Sequence, residues 1–228
     1  MPHVRSVSIG FWLDTGARDE SDTLAGAAHF LEHMLFKGTE ARSAQDIANA
    51  FDAVGGEVNA YSAREHTCFY GRVLDRDLPM AVEILADMFR NASLRPDEFE
   101  SERRVILEEI HMAADVPEDL VHDVFAAAAW PGHPLGRPVL GTVDTIGSMS
   151  VDQLRGFYRA GYLTDRLVVA AAGNVSHEQV AALLRENLEP GSRAVRRTAG
   201  APPAFGAGAL TRDGREAEQA HLVWGLAA

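Results

Sequence analysis

The sequence predicts an α+β fold, and two kinds of pattern predict it. Short segments alternate apolar and other residues with the two-residue period of a strand, and longer segments repeat apolar residues every three to four positions, as helices do. In order, Val4 to Leu13 places Val7, Ile9, Phe11 and Leu13 at alternate positions and reads as a strand with one buried face. Turn chemistry follows at Asp14-Thr15-Gly16-Ala17-Arg18-Asp19, and Ser21 and Asp22 are the expected caps of a helix through AGAAHFLEHMLF that stops at Lys37-Gly38. Ser43 caps a second helix with Ile47, Phe51 and Val54 on one side, ended by Gly55-Gly56. Glu57 to Leu74 reads as two strands joined by a polar connection at Ala63-Arg64-Glu65. Pro79 opens a further helix, and Pro96 opens a long charged one that Pro117 interrupts. After the Pro/Gly-rich stretch PGHPLGRPVLGT, a helix is expected within Asp144 to Ala160, a buried strand over Leu167 to Ala172 and an amphipathic helix over His177 to Leu188. Residues 189–218 have linker composition, and AHLVWGLAA reads as the beginning of another strand. The expected organisation is therefore a domain over 1–188, a linker over 189–218 and the start of a second domain over 219–228.

Composition narrows the classes of function. The chain has 228 residues, of which 46% are hydrophobic, enough for a real core, so a disordered tail is excluded. Lys and Arg number 21 against 33 Asp and Glu, a net charge of −12. Sequence-independent binding to nucleic acid depends on cationic side chains displacing phosphate counterions, so none is expected. Cys68 is the single cysteine, which rules out an intrachain disulfide and a thiolate metal cluster. The apolar runs around Val124–Trp130 and Leu167–Ala172 fall short of the roughly 20 residues that span a bilayer, and the opening residues lack the order of a signal peptide. The expectation is a cytoplasmic chain with no membrane partner.

The chemistry concentrates in His29-Phe30-Leu31-Glu32-His33. On a helix, residues four apart stack on one face, so the two imidazoles can converge on one cation, with Glu32 beside them free to act on water without being a ligand. This order, H-x-x-E-H, is the inverse of H-E-x-x-H. A hydrolytic zinc site usually has three protein ligands and one open position, so a third donor must come from another element. Glu109 on the long charged helix is the best candidate, although spacing alone does not separate it from Glu108. Glu102, two turns earlier, is placed to accept a hydrogen bond from the second nitrogen of a ligand histidine. His111, His122, His133, His177 and His221 lack such partners and read as ordinary surface or core histidines.

The runs AAHFLEHMLFKGTEAR, GGEVNAYSAREHTCFYGRVL, ESERRVILEEI and HPLGRPVLGT, in that order, resemble the pitrilysin/insulysin family of zinc peptidases, and within it the bacterial branch similar to mitochondrial processing peptidase. The resemblance implies a mostly antiparallel sheet with helices packed on one face. It also implies one zinc ion per chain held by His29, His33 and Glu109, with Glu32 as the general base and Glu102 behind the ligands. The family's peptide-binding edge strand falls on Asn59 and Ala60, and the acids that receive a substrate arginine in the processing peptidases fall on Asp119 and Asp123. The implied activity is endopeptidase cleavage of unfolded or short, basic peptides. Members of this branch consist of two homologous halves, and the resemblance covers the first, without the family's opening strand. A C-terminal half, or a homologous subunit such as a second copy in a homodimer, is therefore an expected partner. The alternative is a non-catalytic binding or assembly subunit of the same family, or a fragment inactive without its other half.

Overall fold

Val7, Ile9, Phe11 and Leu13 of β1 (Ser6–Leu13) are each at most 1% exposed, because β1 lies inside the sheet and turns one face to the helices. The computed structural model describes residues 1–189, 191, 203–206 and 219–226. In it, β2 (Glu57–Ser62), β3 (Thr67–Leu74), β1 and β4 (Leu167–Gly173) lie side by side in that order. Every neighbouring pair is antiparallel: β1 meets β3 from Ser6↔Leu74 to Leu13↔Thr67, and β4 from Val7↔Gly173 to Leu13↔Leu167. The fold is α+β, as expected.

Against the apolar face pack α1 (Ala27–Leu35) and α3 (Leu78–Asn91), which supply Phe30, Leu31, Met34, Leu35, Val82, Leu85 and Phe89 to the main core. A smaller cluster joins Ile47 and Phe51 of α2 (Ala44–Ala53) to Val73, Ile84 and Met88. Pro117 divides the long charged segment into α4 (Pro96–Asp115) and α5 (Pro117–Ala129). The remaining helices are α6 (Val143–Ser148), α7 (Val151–Gly161) and α8 (His177–Asn187). Among the described residues no helix is long and apolar enough to cross a membrane.

Local expectation and structure part at several points. The helix expected within 144–160 is two helices, because Ser150 and Gln153 form a capping box that starts α7 afresh. Ser21 and Asp22 do not cap α1: residues Asp22–Leu24 form a 3-10 turn, and α1 begins only after Gly26. The run LVVAAAG of β4 is not buried on both faces. It is an edge strand whose alternate residues face out, Val168 being 65% exposed. Residues 219–226 form no strand, and Leu222, Trp224 and Leu226 are exposed there. Most of the expected linker lies outside the described residues.

Candidate metal centre

α1 buries Ala27, Ala28, Phe30, Leu31, Met34 and Leu35, which leaves His29, Glu32 and His33 together on its remaining stripe. The spacing of four brings the two imidazoles edge to face, with ring centroids 4.7 Å apart. On α4 the stripe Phe99, Glu102, Ile106 and Glu109 faces α1 at steps of three and four residues. Phe99 and Ile106 are core residues, and Phe99 stacks on Phe30 at 4.5 Å with the rings parallel. That contact sets the two helices against each other. Arg103 lies over the far side of Phe99 and donates to the carbonyls of Gly147 and Met149, which ties α4 to the α6–α7 junction.

The consequence is that Glu109 Oε2 stands 3.6 Å from His29 Nε2 and 3.5 Å from His33 Nε2. Donor atoms of all three residues lie within 4.8 Å of one another. Tetrahedral zinc with bonds of about 2.0–2.1 Å separates its ligands by about 3.3 Å, so the donor set, two imidazoles and a carboxylate, fits that ion in type and spacing. Glu108 is exposed on another face of α4, which separates the two candidates that spacing left open.

Glu102 is 5% exposed and divides its carboxylate between two partners. Its Oε2 is 3.1 Å from His33 Nδ1 and its Oε1 is 2.7 Å from Lys37 Nζ. A proton on Nδ1 donated to Glu102 leaves the Nε2 lone pair of His33 directed toward Glu109. Burial, then the neighbouring His33, push the His29 imidazole down to about 4, so it is neutral at pH 7, as a ligand must be. Among the described residues its buried Nδ1 has no hydrogen-bond partner. Burial pushes the Glu32 carboxyl above its ordinary range, against hydrogen bonds from Ser62 and the charge of His33, while Glu109 adds to the rise. Glu32 Oε2 is likewise buried and unpartnered.

The remaining expected site residues lie around this centre. Asn59 and Ala60 are on β2, whose outer edge is unpaired among the described residues, and Asn59 Oδ1 accepts the Ala60 N–H at 2.8 Å. Ser62, at the end of β2, donates to the Ala28 carbonyl at 3.2 Å and so ties the strand to α1. Asp119 is exposed in the first turn of α5. Asp123, one turn on, already holds a guanidinium: Arg64 Nη2 lies 3.0 Å from it, and Arg64 Nε donates to Leu135 O at 3.0 Å. Sequence reasoning passed over Lys37, Ser62, Arg64 and Glu20. For Lys37 the signal was present, since it stands four residues beyond His33.

Residues 1–143 match the family profile described as Insulinase (Peptidase family M16), and residues 148–228 match one described as Peptidase M16 inactive domain. That boundary is not a structural one, because β4, beyond it, pairs with β1 along its length. The chain is 50% identical over 232 residues to an uncharacterized zinc protease of Mycobacterium leprae, covering 99% of this chain and 52% of the relative. It is 38% identical over 187 residues to the mitochondrial-processing peptidase subunit beta of Lentinula edodes, covering 82% of this chain and 40% of that one. The chain thus spans about half the length of the curated relatives it matches. The solved structure of a protease from Helicobacter pylori has a TM-score of 0.80 at 24% identity, covering 87% of this chain and 48% of that one, a likeness of fold. By the profile match and these relatives, the chain belongs to the insulinase family of peptidases.

Proposed function

We propose that this chain is the catalytic half of a zinc-dependent endopeptidase acting on unfolded or short, basic peptides. The observation that carries the reading is the convergence of His29, His33 and Glu109 within 4.8 Å, next to a buried, unpartnered Glu32 oxygen. His29, His33 and Glu109 hold one zinc ion, and Glu102 orients His33. Zinc supplies Lewis acidity, lowering the pKa of water toward about 7 and polarising a carbonyl. Glu32 takes the proton of the attacking water and passes it to the leaving amine. The free edge of β2, with Asn59 and Ala60, receives the peptide backbone by strand addition. Asp119 takes a substrate guanidinium, and Asp123 joins it when Arg64 gives way.

Residues 1–188 form the zinc-binding unit in this reading, with 189–218 leading to a second unit that begins at 219. That second half, or a homologous subunit, closes over the peptide. A place in the bacterial cytoplasm accords with Cys68 being the single cysteine, so that no intrachain disulfide forms.

The test measures zinc content and cleavage of an unstructured arginine-containing peptide, for the chain alone and with a homologous second half. Glu32→Gln is expected to keep zinc and lose cleavage, whereas His29→Ala and Glu109→Gln lose zinc. Full cleavage by Glu32→Gln, or undiminished zinc in the ligand variants, would refute the assignment.

A further inference from the structure

The first turn of α1 has no capping side chain of its own, since its N-cap is Gly26 at a φ of 94°. Glu20, six positions upstream, takes that role with both oxygens: Oε2 accepts the Gly26 N–H at 2.9 Å and Oε1 the Ala28 N–H at 2.7 Å. The carboxylate is 5% exposed and lies at the positive end of the helix dipole. Burial works against its charge, and these two bonds and the charge of Arg137 work for it. An ordinary N-cap side chain accepts an N–H two or three residues on, within its own helix start. A carboxylate reaching in from a separate turn fixes the helix start to the rest of the fold.

That turn is itself gripped by the Pro/Gly-rich stretch, which has no part in the metal centre. Arg137 donates from Nη2 to the Glu20 carbonyl at 2.8 Å and from Nη1 to Asp22 Oδ1 at 2.8 Å. The same stretch presses on the helix start. A Cβ on Gly26 would lie 2.7 Å from Leu140 O, and one on Gly141 would lie 2.4 Å from Ala25 O. Thr145 Oγ1 donates to Ala25 O at 2.8 Å. His29 follows Ala28 directly, so any displacement of this turn moves its imidazole. Metal ligands must be held within about 0.5 Å of their working positions, by contacts of this kind.

We propose that Glu20, gripped by Arg137, is a positioning residue that sets where α1 begins and thereby where His29 presents its ring to the metal. This rests on the metal-centre reading above. The test uses the whole chain and two independent readouts: zinc affinity by competition against a chromophoric chelator, and the urea-unfolding midpoint. Glu20→Gln, Glu20→Ala and Arg137→Met are compared with Ser176→Ala, which removes the cap of α8. Glu20→Gln and Arg137→Met are expected to weaken zinc binding by about tenfold, an effect the size of losing a group that orients a ligand, here through the helix start instead of the ring. Ser176→Ala is expected to lower the midpoint while leaving zinc affinity within about twofold.

Cobalt-loaded Glu20→Gln is expected to show shifted d–d bands, a change in ligand geometry that lost stability alone does not produce. Should Glu20→Ala fail to fold, Glu20→Gln still decides, since its amide oxygen keeps one of the two N–H partners. Glu20→Gln that binds zinc like the wild type through His29 overturns the positioning role alone, as does affinity that falls in step with the midpoint in every variant. A wild-type chain whose zinc binding is absent or indifferent to His29→Ala overturns the metal centre and this proposal together.

Discussion

Replacing Glu102 by Gln isolates the charge behind His33 from the shape that carries it. The carboxylate lies 3.1 Å from His33 Nδ1 and 2.7 Å from Lys37 Nζ. Gln keeps an oxygen for the Nδ1–H but no charge. A hydrogen bond to a charged group contributes about 1.5–3 kcal/mol and a neutral one about 0.5–1.5, so the change costs about 1–1.5 kcal/mol at His33. At 1.36 kcal/mol per factor of ten, zinc affinity should fall by about five- to tenfold. Folding should change less, because Gln relieves the burial of a charge and Lys37, partly exposed, turns to water. Zinc competition titrations at fixed ionic strength, beside urea unfolding, measure both. Lys37→Met supplies the opposite arm: it leaves the Glu102 charge entirely to His33, so zinc binding should hold or tighten while stability drops. Glu102→Gln with unchanged or tighter zinc binding would refute the argument, and so would Lys37→Met weakening zinc as much as Glu102→Gln.

Phe99→Ala removes the ring stacked on Phe30 and should destabilise the fold by about 3–5 kcal/mol, read as a lower urea midpoint with an unchanged slope. For Asp87, burial raises the pKa, but bonds from Asn91, Thr39 and Arg42 outweigh it and hold the carboxyl below its ordinary 3.8. The unfolded chain therefore takes up the proton first as pH falls. The stability difference between wild type and Asp87→Asn should be complete above pH 3.8 and vanish as pH drops through the lower folded value, which unfolding curves across acid pH would show. Arg64→Met releases Asp123. It should raise the kcat/KM preference for an arginine-containing peptide over its norleucine counterpart by up to about fivefold, the factor that about 1 kcal/mol for a half-exposed ion pair allows. An unchanged or lower preference counts against the 119/123 pair as an arginine site.

The convergence of His29, His33 and Glu109 was legible because both helices carry their orientation in their own residues. His29 and His33 share a face by spacing alone, and on α4 the buried Phe99 and Ile106 mark the face on which Glu102 and Glu109 must lie. The cap of α1 was not legible, because Ser21 and Asp22 satisfy every local preference for an N-cap, whereas Glu20 acts through bonds that exist only once the intervening 3-10 turn has formed. The exposure of β4 was hidden for a different reason. A run of Leu, Val and Ala has no polar residues to mark its outer face, and only the strand order makes β4 an edge. The Arg64–Asp123 pair joins two separate elements and leaves no local trace in sequence.

These contacts converge on one residue of no chemical consequence. Ala28 has its N–H bound by the Glu20 carboxylate and its carbonyl by the Ser62 hydroxyl. The residue leading into His29 is thus tied through its N–H to the turn that Arg137 holds and through its carbonyl to the edge strand β2. Ser62 is in turn in register with Thr67 and, through it, with Leu13 at the end of β1. The sheet register therefore fixes the distance between the outer edge of β2 and Glu32, four residues along the same helix from Ala28. A one-residue slip of β2 against β3 would turn Ser62 to the opposite face and cut that tie while leaving His29, His33 and Glu109 together. In the proposed function zinc binding and peptide positioning would accordingly be separable: the first would depend on α1 meeting α4 through Phe30 and Phe99, the second on β2 meeting α1 through Ser62 and Ala28.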